Sequence, residues 1–237
     1  MRSCVHVVLD LLLPRTCPPC GAALPAGTRS PLCAACRRAL ATPLAPGCPR
    51  CGAPGATTAP CGACRSRPPA FTTARALGAY VPDGEGNVLA RVVQHLKYRG
   101  ARSLARPLAE LLAARYAFPA DALLAPVPLH PARLRTRGYN QAALLARGLA
   151  RRRGLALAPR LLERTRPTAE HAHLDAAARR HNVQGAFRVR PSPALAGRTV
   201  VLVDDVLTTG ATADACARVL VAGGATAVHV FTVGRTP

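Results

Sequence analysis

The chain of 237 residues contains no tryptophan, and aromatic residues make up only 3% of it. A core without large rings has to be built from leucine, valine and alanine, and the hydrophobic content of 49% is enough to build one. The scarcity of rings also argues against a surface that stacks the bases of single-stranded nucleic acid, because such surfaces use aromatic side chains. The composition is that of a globular protein.

Long apolar runs are absent as well. No stretch reaches the roughly 20 apolar residues that a membrane-spanning helix requires. The apolar segment at residues 1–13 is interrupted by His6 and Asp10, and no small-residue cleavage site follows it. We therefore interpret it as a short amphipathic helix packed on the body of the protein and not as a secretory signal. The sequence predicts a cytoplasmic protein without a membrane span.

Acidic residues are few. The chain has 11 Asp and Glu against 32 Lys and Arg, which gives a net charge of +21, and Lys97 is its single lysine. Arginine pairs bidentately with phosphate, so phosphorylated metabolites and nucleic acid are both candidate partners. A biased coding composition explains the same excess, and charge alone does not decide between these readings.

The cysteines are concentrated near the N-terminus, with nine of the ten before residue 65. Eight of them form four Cys-x-x-Cys pairs, and two such pairs can surround one tetrahedral zinc ion. Disulfides need an oxidising compartment, and a redox pair does not need eight cysteines, so we expect two structural Cys4 zinc sites. Sequential pairing is the simplest arrangement, and a cross-braced one also fits the spacing. The expected ligands are Cys17, Cys20, Cys33, Cys36, Cys48, Cys51, Cys61 and Cys64.

The cysteine-rich segment predicts a small zinc module at residues 1–65, a proline-containing linker at 66–70 and a larger domain at 71–237. In the larger domain, short apolar runs alternate with helical patterns, which is typical of parallel βαβ units. We expect an α/β fold with a mainly parallel sheet flanked by helices. Its predicted strands are 122–127, 199–206 and 227–233, after an extended run at 71–81, and its helices are 88–99, 104–116, 139–153 and 211–221.

Two adjacent acids, Asp204 and Asp205, close the most apolar predicted strand, and a Thr- and Gly-rich loop follows them. Ligands of open α/β sheets bind beyond the carboxyl ends of strands, where helix N-termini present free N–H groups and attract anions. The acids suit the vicinal hydroxyls of a ribose, directly or through Mg²⁺. The loop suits a phosphate monoester. The residues expected to bind are Asp204, Asp205, Val206, Leu207, Thr208, Thr209, Gly210, Ala211 and Thr212.

This pattern resembles the phosphoribosyl-pyrophosphate loop of the type I phosphoribosyltransferases. Residues 125–141, 97–100 and 180–187 resemble segments of the ComF competence-associated branch, and the likeness runs from about Leu11 to the C-terminus. It implies that Asp204 and Asp205 hold the ribose, that residues 208–212 hold the 5'-phosphate, and that the protein has a role in the uptake of transforming DNA. Where that branch has a glutamine this chain has His171, either a proton carrier or a surface residue.

Arginines in the segment between the first β-strand of the βαβ pattern and its helix are candidates for binding a pyrophosphate. We expect this segment to be a loop at the carboxyl edge of the sheet, although a solvated basic loop would have the same sequence. Lys97 is either a ligand or a partner of its own helix dipole. The candidates are Arg133, Arg135, Arg137, Gly138, Tyr139 and Lys97.

Two functions fit the sequence. The first is transfer of phosphoribose from Mg²⁺-bound phosphoribosyl pyrophosphate to a nitrogen nucleophile of unknown identity. The second is handling of single-stranded DNA, together with competence proteins, by a zinc-ribbon protein whose phosphoribosyl site is a sensor or a relic. A homodimer is expected only by analogy with related enzymes.

Overall fold

The computed structural model describes residues 15–55, 58–82, 86–167 and 176–237. The helix predicted at residues 1–13, Cys4 and His171 lie outside these ranges. Within them, no helix combines the length and the apolar character needed to cross a membrane.

The helices and strands follow the predicted α/β pattern closely. Helices α1 to α8 are Ala34–Ala41, Gly62–Ser66, Val88–Tyr98, Ala105–Arg115, Pro131–Arg137, Gln141–Arg153, Ala176–Val183 and Ala211–Ala222, with a 3-10 turn at Arg102–Leu104. Strands β1 to β7 are Thr73–Ala79, Leu123–Pro126, Ala156–Leu157, Leu162–Arg164, Phe187–Val189, Thr199–Leu207 and Ala227–Arg235.

Five strands form a parallel sheet in the order β1-β7-β6-β2-β3. The central strand is β6, whose residues 200–203 are fully buried, as expected of an apolar run covered on both faces. The register sets Val201 beside Leu124 of β2 and His229 of β7. The predicted parallel sheet is therefore confirmed. Strands β4 and β5 form a separate antiparallel pair.

Helices cover both faces of the sheet. On one face, α3, α4 and α6 pack with Val201 and Val203 of β6. On the other face, α8 packs with Val200 and Leu202. The first face also receives Leu32 and Leu40 of the cysteine-rich module, so this module shares the core of the larger domain.

The segment after β2 differs from its prediction, because residues Pro131–Arg137 form helix α5 and not a loop. His130 caps this helix, and its Nδ1 accepts a hydrogen bond from the Ala132 N–H at 3.3 Å. Pro131 occupies the first turn, where a missing N–H removes no helical hydrogen bond. Seven residues are too few to display a helical period in the sequence, so the pattern gave no indication of α5.

Helices α4 and α6 pack closely at Gly148. A Cβ atom built on Gly148 would lie 2.6 Å from the Cβ of Ala109, which is closer than two carbon atoms can approach. The glycine therefore allows close packing of two helices that cover one face of the sheet.

We expect Gly148→Ala to destabilise the protein. Alanine normally stabilises a helix interior by about 1 kcal/mol relative to glycine. Here the overlap with Ala109 reverses that effect, and urea denaturation should register a loss of about 1–3 kcal/mol in the free energy of unfolding. Adding Ala109→Gly to the same chain removes the overlapping atom and should recover part of the loss. A Gly148→Ala variant as stable as its parent would contradict the close approach.

Candidate functional site

The two adjacent acids of β6 project to opposite faces of the sheet, because successive residues of a strand alternate. Asp205 lies on the same face as Val201 and Val203, which is covered by α3, α4 and α6. Asp204 lies on the same face as Leu202, which is covered by α8. β6 continues to Leu207, so both acids lie within the strand and close to its carboxyl end.

Asp205 is held by two helices. Its Oδ1 lies 2.9 Å from Nζ of Lys97, at the end of α3, and its Oδ2 accepts a 2.6 Å hydrogen bond from Nε2 of Gln141, at the start of α6. Burial by itself disfavours the charged ammonium, but Asp205 raises the pKa of Lys97 above its ordinary value. Lys97 therefore keeps its charge at neutral pH beside the Asp205 carboxyl.

Asp204 has a different environment. Its Oδ1 accepts a 2.8 Å hydrogen bond from the Asp205 N–H, and its charge interacts with Arg164 and with Cys216 of α8. Burial, followed by the negative charge of Asp205, raises the pKa of Asp204 to about 7. One of the two acids is therefore easily protonated in the protein without ligand. Cys216 is fully buried, and its pKa is raised well above the ordinary value, mainly by burial, which agrees with an inert thiol.

Residues 208–212, the phosphate loop, connect β6 to α8. Gly210 caps α8 with φ of 81°, a left-handed conformation that residues with a Cβ rarely adopt. Its carbonyl accepts from the Asp214 N–H at 2.8 Å, and the Ala211 N–H donates to Oγ1 of Thr209 at 3.4 Å. The first turn of α8 thus starts at the loop, and its dipole favours an anion there.

A cavity of about 500 Å³ opens at this edge of the sheet. Every predicted residue of the acidic and phosphate-loop motif lines it, and so do Lys97, Arg133 and Arg137. Of the other predicted residues, Arg135 is exposed on α5 away from the cavity lining, and Gly138 ends α5 with φ of 75°. Tyr139 is buried, and its hydroxyl donates to the Leu96 carbonyl at 2.5 Å.

The helical form of α5 explains which of its arginines face the cavity. Residues four apart lie on one side of a helix, and this spacing separates Arg133 and Arg137, whereas Arg135 lies between them. The Arg137 guanidinium also lies 5.3 Å from the centre of the Tyr98 ring. In an irregular loop, a spacing of four residues would not place Arg133 and Arg137 on the same side.

Several residues of the cavity were not predicted. Gln141 is 3% exposed, and its Oε1 has no hydrogen-bond partner among the described residues. Arg164 is also buried, and burial, followed by the charge of Arg133, lowers its pKa. The sequence offered a signal for Asn140 and Gln141, two polar residues at the start of a helix, where such residues either cap the helix or line the site. The lining further includes Tyr80, Tyr98, Asn140, Arg179 and Thr236.

The eight clustered cysteines form two groups, each with all Sγ atoms within 4.8 Å of one another. The groups pair sequentially, which excludes the cross-braced arrangement. The Sγ atoms of Cys20 and Cys33 are 3.7 Å apart, as are those of Cys51 and Cys61. A tetrahedron with Zn–S bonds of about 2.3 Å has edges of about 3.8 Å, so both groups fit zinc. The groups are Cys17, Cys20, Cys33 and Cys36, and Cys48, Cys51, Cys61 and Cys64.

Main-chain N–H groups prepare one thiolate in each zinc site. The Cys36 N–H donates to Sγ of Cys33, and this bond is the main cause that lowers the pKa of Cys33 to about 7. Burial disfavours the Cys48 thiolate, but N–H groups of Cys51 and Cys61 outweigh it and lower the pKa of Cys48 to about 6. Thiolates are the form that zinc binds.

Two protein families match the chain: a double zinc ribbon domain at residues 8–65 and a phosphoribosyl transferase domain at residues 138–236. Fold and site thus define a phosphoribosyltransferase-type protein that carries a double zinc ribbon. The DNA utilization protein YhgH of Salmonella typhi is 35% identical over 213 residues, which is 86% of this chain and 90% of the relative. Competence protein F of Haemophilus influenzae is 31% identical with the same coverage. The chain belongs to the ComF family.

Among solved structures, the glutamine phosphoribosylpyrophosphate amidotransferase from B. subtilis is similar over 60% of this chain, with 20% identity and a TM-score of 0.41. The chain matches 30% of the length of that enzyme.

The pairing of the cysteines can be tested by zinc content. Cys20→Ser with Cys33→Ser removes two ligands of one sequential site, so elemental analysis should find one zinc ion per chain. Cys20→Ser with Cys48→Ser disrupts both sites and should leave none. A cross-braced module would give the opposite results, and Cys216→Ser, a buried cysteine outside both groups, should retain two ions.

We expect Asp204→Asn to stabilise the protein without ligand more at pH 8 than at pH 5. A carboxyl group whose pKa is raised in the folded state contributes most stability when it is protonated. This contribution is lost as the pH rises from the pKa of the unfolded state towards the folded-state pKa of about 7. The uncharged amide avoids the loss and retains an acceptor for the Asp205 N–H. Thermal unfolding should show a gain in Tm of about 5 °C or more at pH 8. The exposed Asp121→Asn is the control for removing one negative charge, and an equal gain at both pH values would refute the assignment.

Proposed function

We propose that this protein binds phosphoribosyl pyrophosphate with Mg²⁺ at the carboxyl edge of its sheet and transfers the phosphoribosyl group to a nitrogen acceptor. The observation that carries the proposal is the continuous lining of one cavity by residues 204–212. Along this segment, two acids at the end of a strand are followed by a threonine-rich loop and then by the N-terminus of a helix. The acids suit one part of the ligand, and the loop with the helix N-terminus suits another.

The phosphate loop suits the 5'-phosphate. Thr208, Thr209 and Thr212 supply hydroxyl groups, and the first turn of α8 supplies N–H groups and the positive end of a helix dipole. The loop therefore anchors one end of the ligand.

The acids suit the ribose. Asp204 and Asp205 would accept hydrogen bonds from its hydroxyl groups or hold Mg²⁺, which binds oxygen ligands from one or two carboxylates together with substrate phosphates. When bound, Mg²⁺ supplies charge neutralisation for the leaving pyrophosphate. Because Lys97 and Gln141 already orient Asp205, that carboxylate is in position before the ligand arrives. The two acids stabilise the ribose as C1' becomes cationic.

The cationic wall suits the pyrophosphate. Arg133 and Arg137 line the cavity from α5, Arg164 lines it from β4, and Arg179 lines it from α7. Guanidinium groups pair bidentately with phosphate oxygens, and their charge stabilises a leaving group that gains negative charge. Little acid–base chemistry is required of the protein.

The tyrosines favour a planar acceptor. Tyr80 and Tyr98 line the cavity, and Tyr116 and Tyr139, whose hydroxyl groups donate to main-chain carbonyls, are not among its lining residues. The Arg137 guanidinium lies 5.3 Å from the centre of the Tyr98 ring, but Tyr98 is still 67% exposed, so its ring offers a flat surface. A heteroaromatic acceptor could stack there.

The names of the relatives supply the biological context. Because they are called DNA utilization proteins and a competence protein, we propose that this chain acts in the cytoplasm on material derived from imported DNA, with single-stranded DNA and competence proteins as partners. The net charge of +21 supports a polyanionic partner. Eight cysteines arranged as zinc ligands, and not as disulfides, support a reducing compartment.

We expect Asp204→Asn with Asp205→Asn to weaken binding of phosphoribosyl pyrophosphate by about 100-fold or more, because at least two charge-assisted hydrogen bonds are lost. Calorimetric titration in the presence of Mg²⁺, with zinc-loaded protein, measures this directly. Asp204→Asn alone retains the Lys97–Asp205 ion pair, so weaker binding by this variant cannot result from unfolding caused by the loss of Asp205. The matched control is Asp121→Asn, an exposed acid before β2.

Unchanged affinity in both site variants would refute the site. If the unsubstituted protein itself fails to bind phosphoribosyl pyrophosphate, the transferase proposal fails, and salt-dependent binding of single-stranded DNA becomes the function to measure.

A further inference from the structure

Arg235 connects two parts of the molecule that are far apart in sequence. It ends β7 beside Leu207 of β6, at the site edge of the sheet. Its guanidinium donates to the carbonyls of Leu207 at 3.3 Å, of Thr208, and of Thr236 at 2.5 Å. It also donates to the Cys51 carbonyl at 3.3 Å. One side chain thus holds the start of the phosphate loop and a cysteine of the second zinc site.

Other contacts of the second zinc ribbon lead to β1. The Ala74 N–H donates to the Arg50 carbonyl at 2.6 Å, and the Arg75 guanidinium donates to the Pro49 carbonyl at 3.0 Å. These bonds dock the ribbon on the edge strand of the sheet. The Arg235 contact differs because it reaches the phosphate loop.

Holding these carbonyls also orients N–H groups. A trans peptide directs its N–H opposite to its C=O, and the described residues contain no cis peptide. With the carbonyls of Leu207 and Thr208 directed at Arg235, the N–H groups of Thr208 and Thr209 are directed away from it. Both threonines line the cavity. Arg235 therefore fixes donors that would face a phosphate.

We propose that Arg235 is a positioning residue that makes the phosphate loop depend on the second zinc site. Zinc holds Cys51 in place, Cys51 holds the guanidinium, and the guanidinium sets the orientation of the loop. The inference rests on the proposed function for its effect on ligand affinity, but the coupling of loop and ribbon can be measured without ligand.

The chain contains a matched control in Arg115. This arginine also links a zinc ribbon to the larger domain through main-chain carbonyls, those of Leu40 and Ala41 after the first zinc site and that of Leu77 in β1. It makes the same kind of contact but does not touch the phosphate loop. Arg75 is a second control, because it docks the second ribbon without reaching the loop.

We expect Arg235→Gln to weaken phosphoribosyl pyrophosphate binding about tenfold or more, since its charge-assisted hydrogen bonds to the carbonyls of Leu207 and Thr208 are lost. Arg115→Gln and Arg75→Gln should retain the affinity. Hydrogen exchange of the Thr208 and Thr209 amides in zinc-loaded, ligand-free protein should accelerate in Arg235→Gln only. Arg235→Lys should be intermediate, because an ammonium cannot span four carbonyls as a planar guanidinium does.

Loss of the second zinc ion by Cys61→Ser should accelerate hydrogen exchange and weaken ligand binding, as Arg235→Gln does. Loss of the first zinc ion by Cys20→Ser should change neither the exchange rates nor the affinity. The inference would be overturned if Arg235→Gln and Arg115→Gln had the same amide exchange rates and the same ligand affinity. It would also be overturned if Cys61→Ser and Cys20→Ser changed these quantities equally. If the unsubstituted protein does not bind phosphoribosyl pyrophosphate, the proposed function fails, and the exchange rates alone decide the coupling.

Discussion

Lys97 and Asp205 form the ion pair on which the rest of the site depends. It joins the end of α3 to the central strand, and Gln141 adds the start of α6 through the second carboxylate oxygen. Removing one partner of such a buried pair costs about 3–5 kcal/mol, because the other charge is left without compensation. Together with Gln141, the pair therefore holds three elements in one arrangement and fixes the Asp205 carboxyl group in the lining of the cavity. An ammonium suits this place because it is a compact charge with three donors, unlike the planar fork of arginine.

The parts of this structure that sequence reasoning predicts are those whose cause is local. The unbroken apolar run before Asp204 requires a strand covered on both faces, and the threonines and Gly210 after it favour a loop leading into a helix. Cys-x-x-Cys spacing is likewise a local signal, because two thiolates presented by one turn indicate a zinc site without information about distant residues. Family, fold and zinc content follow from these segments.

The parts that sequence reasoning misses depend on contacts between distant residues. Cysteine spacing permits two pairings of the zinc ligands, and only the folded module selects one. Gln141 lies 64 positions from the acid it binds, and the contact between Arg235 and Cys51 spans 184 positions. Arginines are so common here that position in the chain cannot separate Arg164, which is buried beside the acids, from Arg135, which is exposed. The helix at residues 131–137 was missed because it is too short to display a period.

The projection of Asp204 and Asp205 to opposite faces limits how this protein can evolve. Inserting or deleting one residue in β6 ahead of the acids would exchange their surroundings, so that the acid beside Arg164 would face Lys97 and the apolar residues of both layers would change sides. Point substitutions can accumulate in the strand, but a change of length by one cannot be tolerated there. Variation in length among family members should therefore fall in the connections between elements and spare β6.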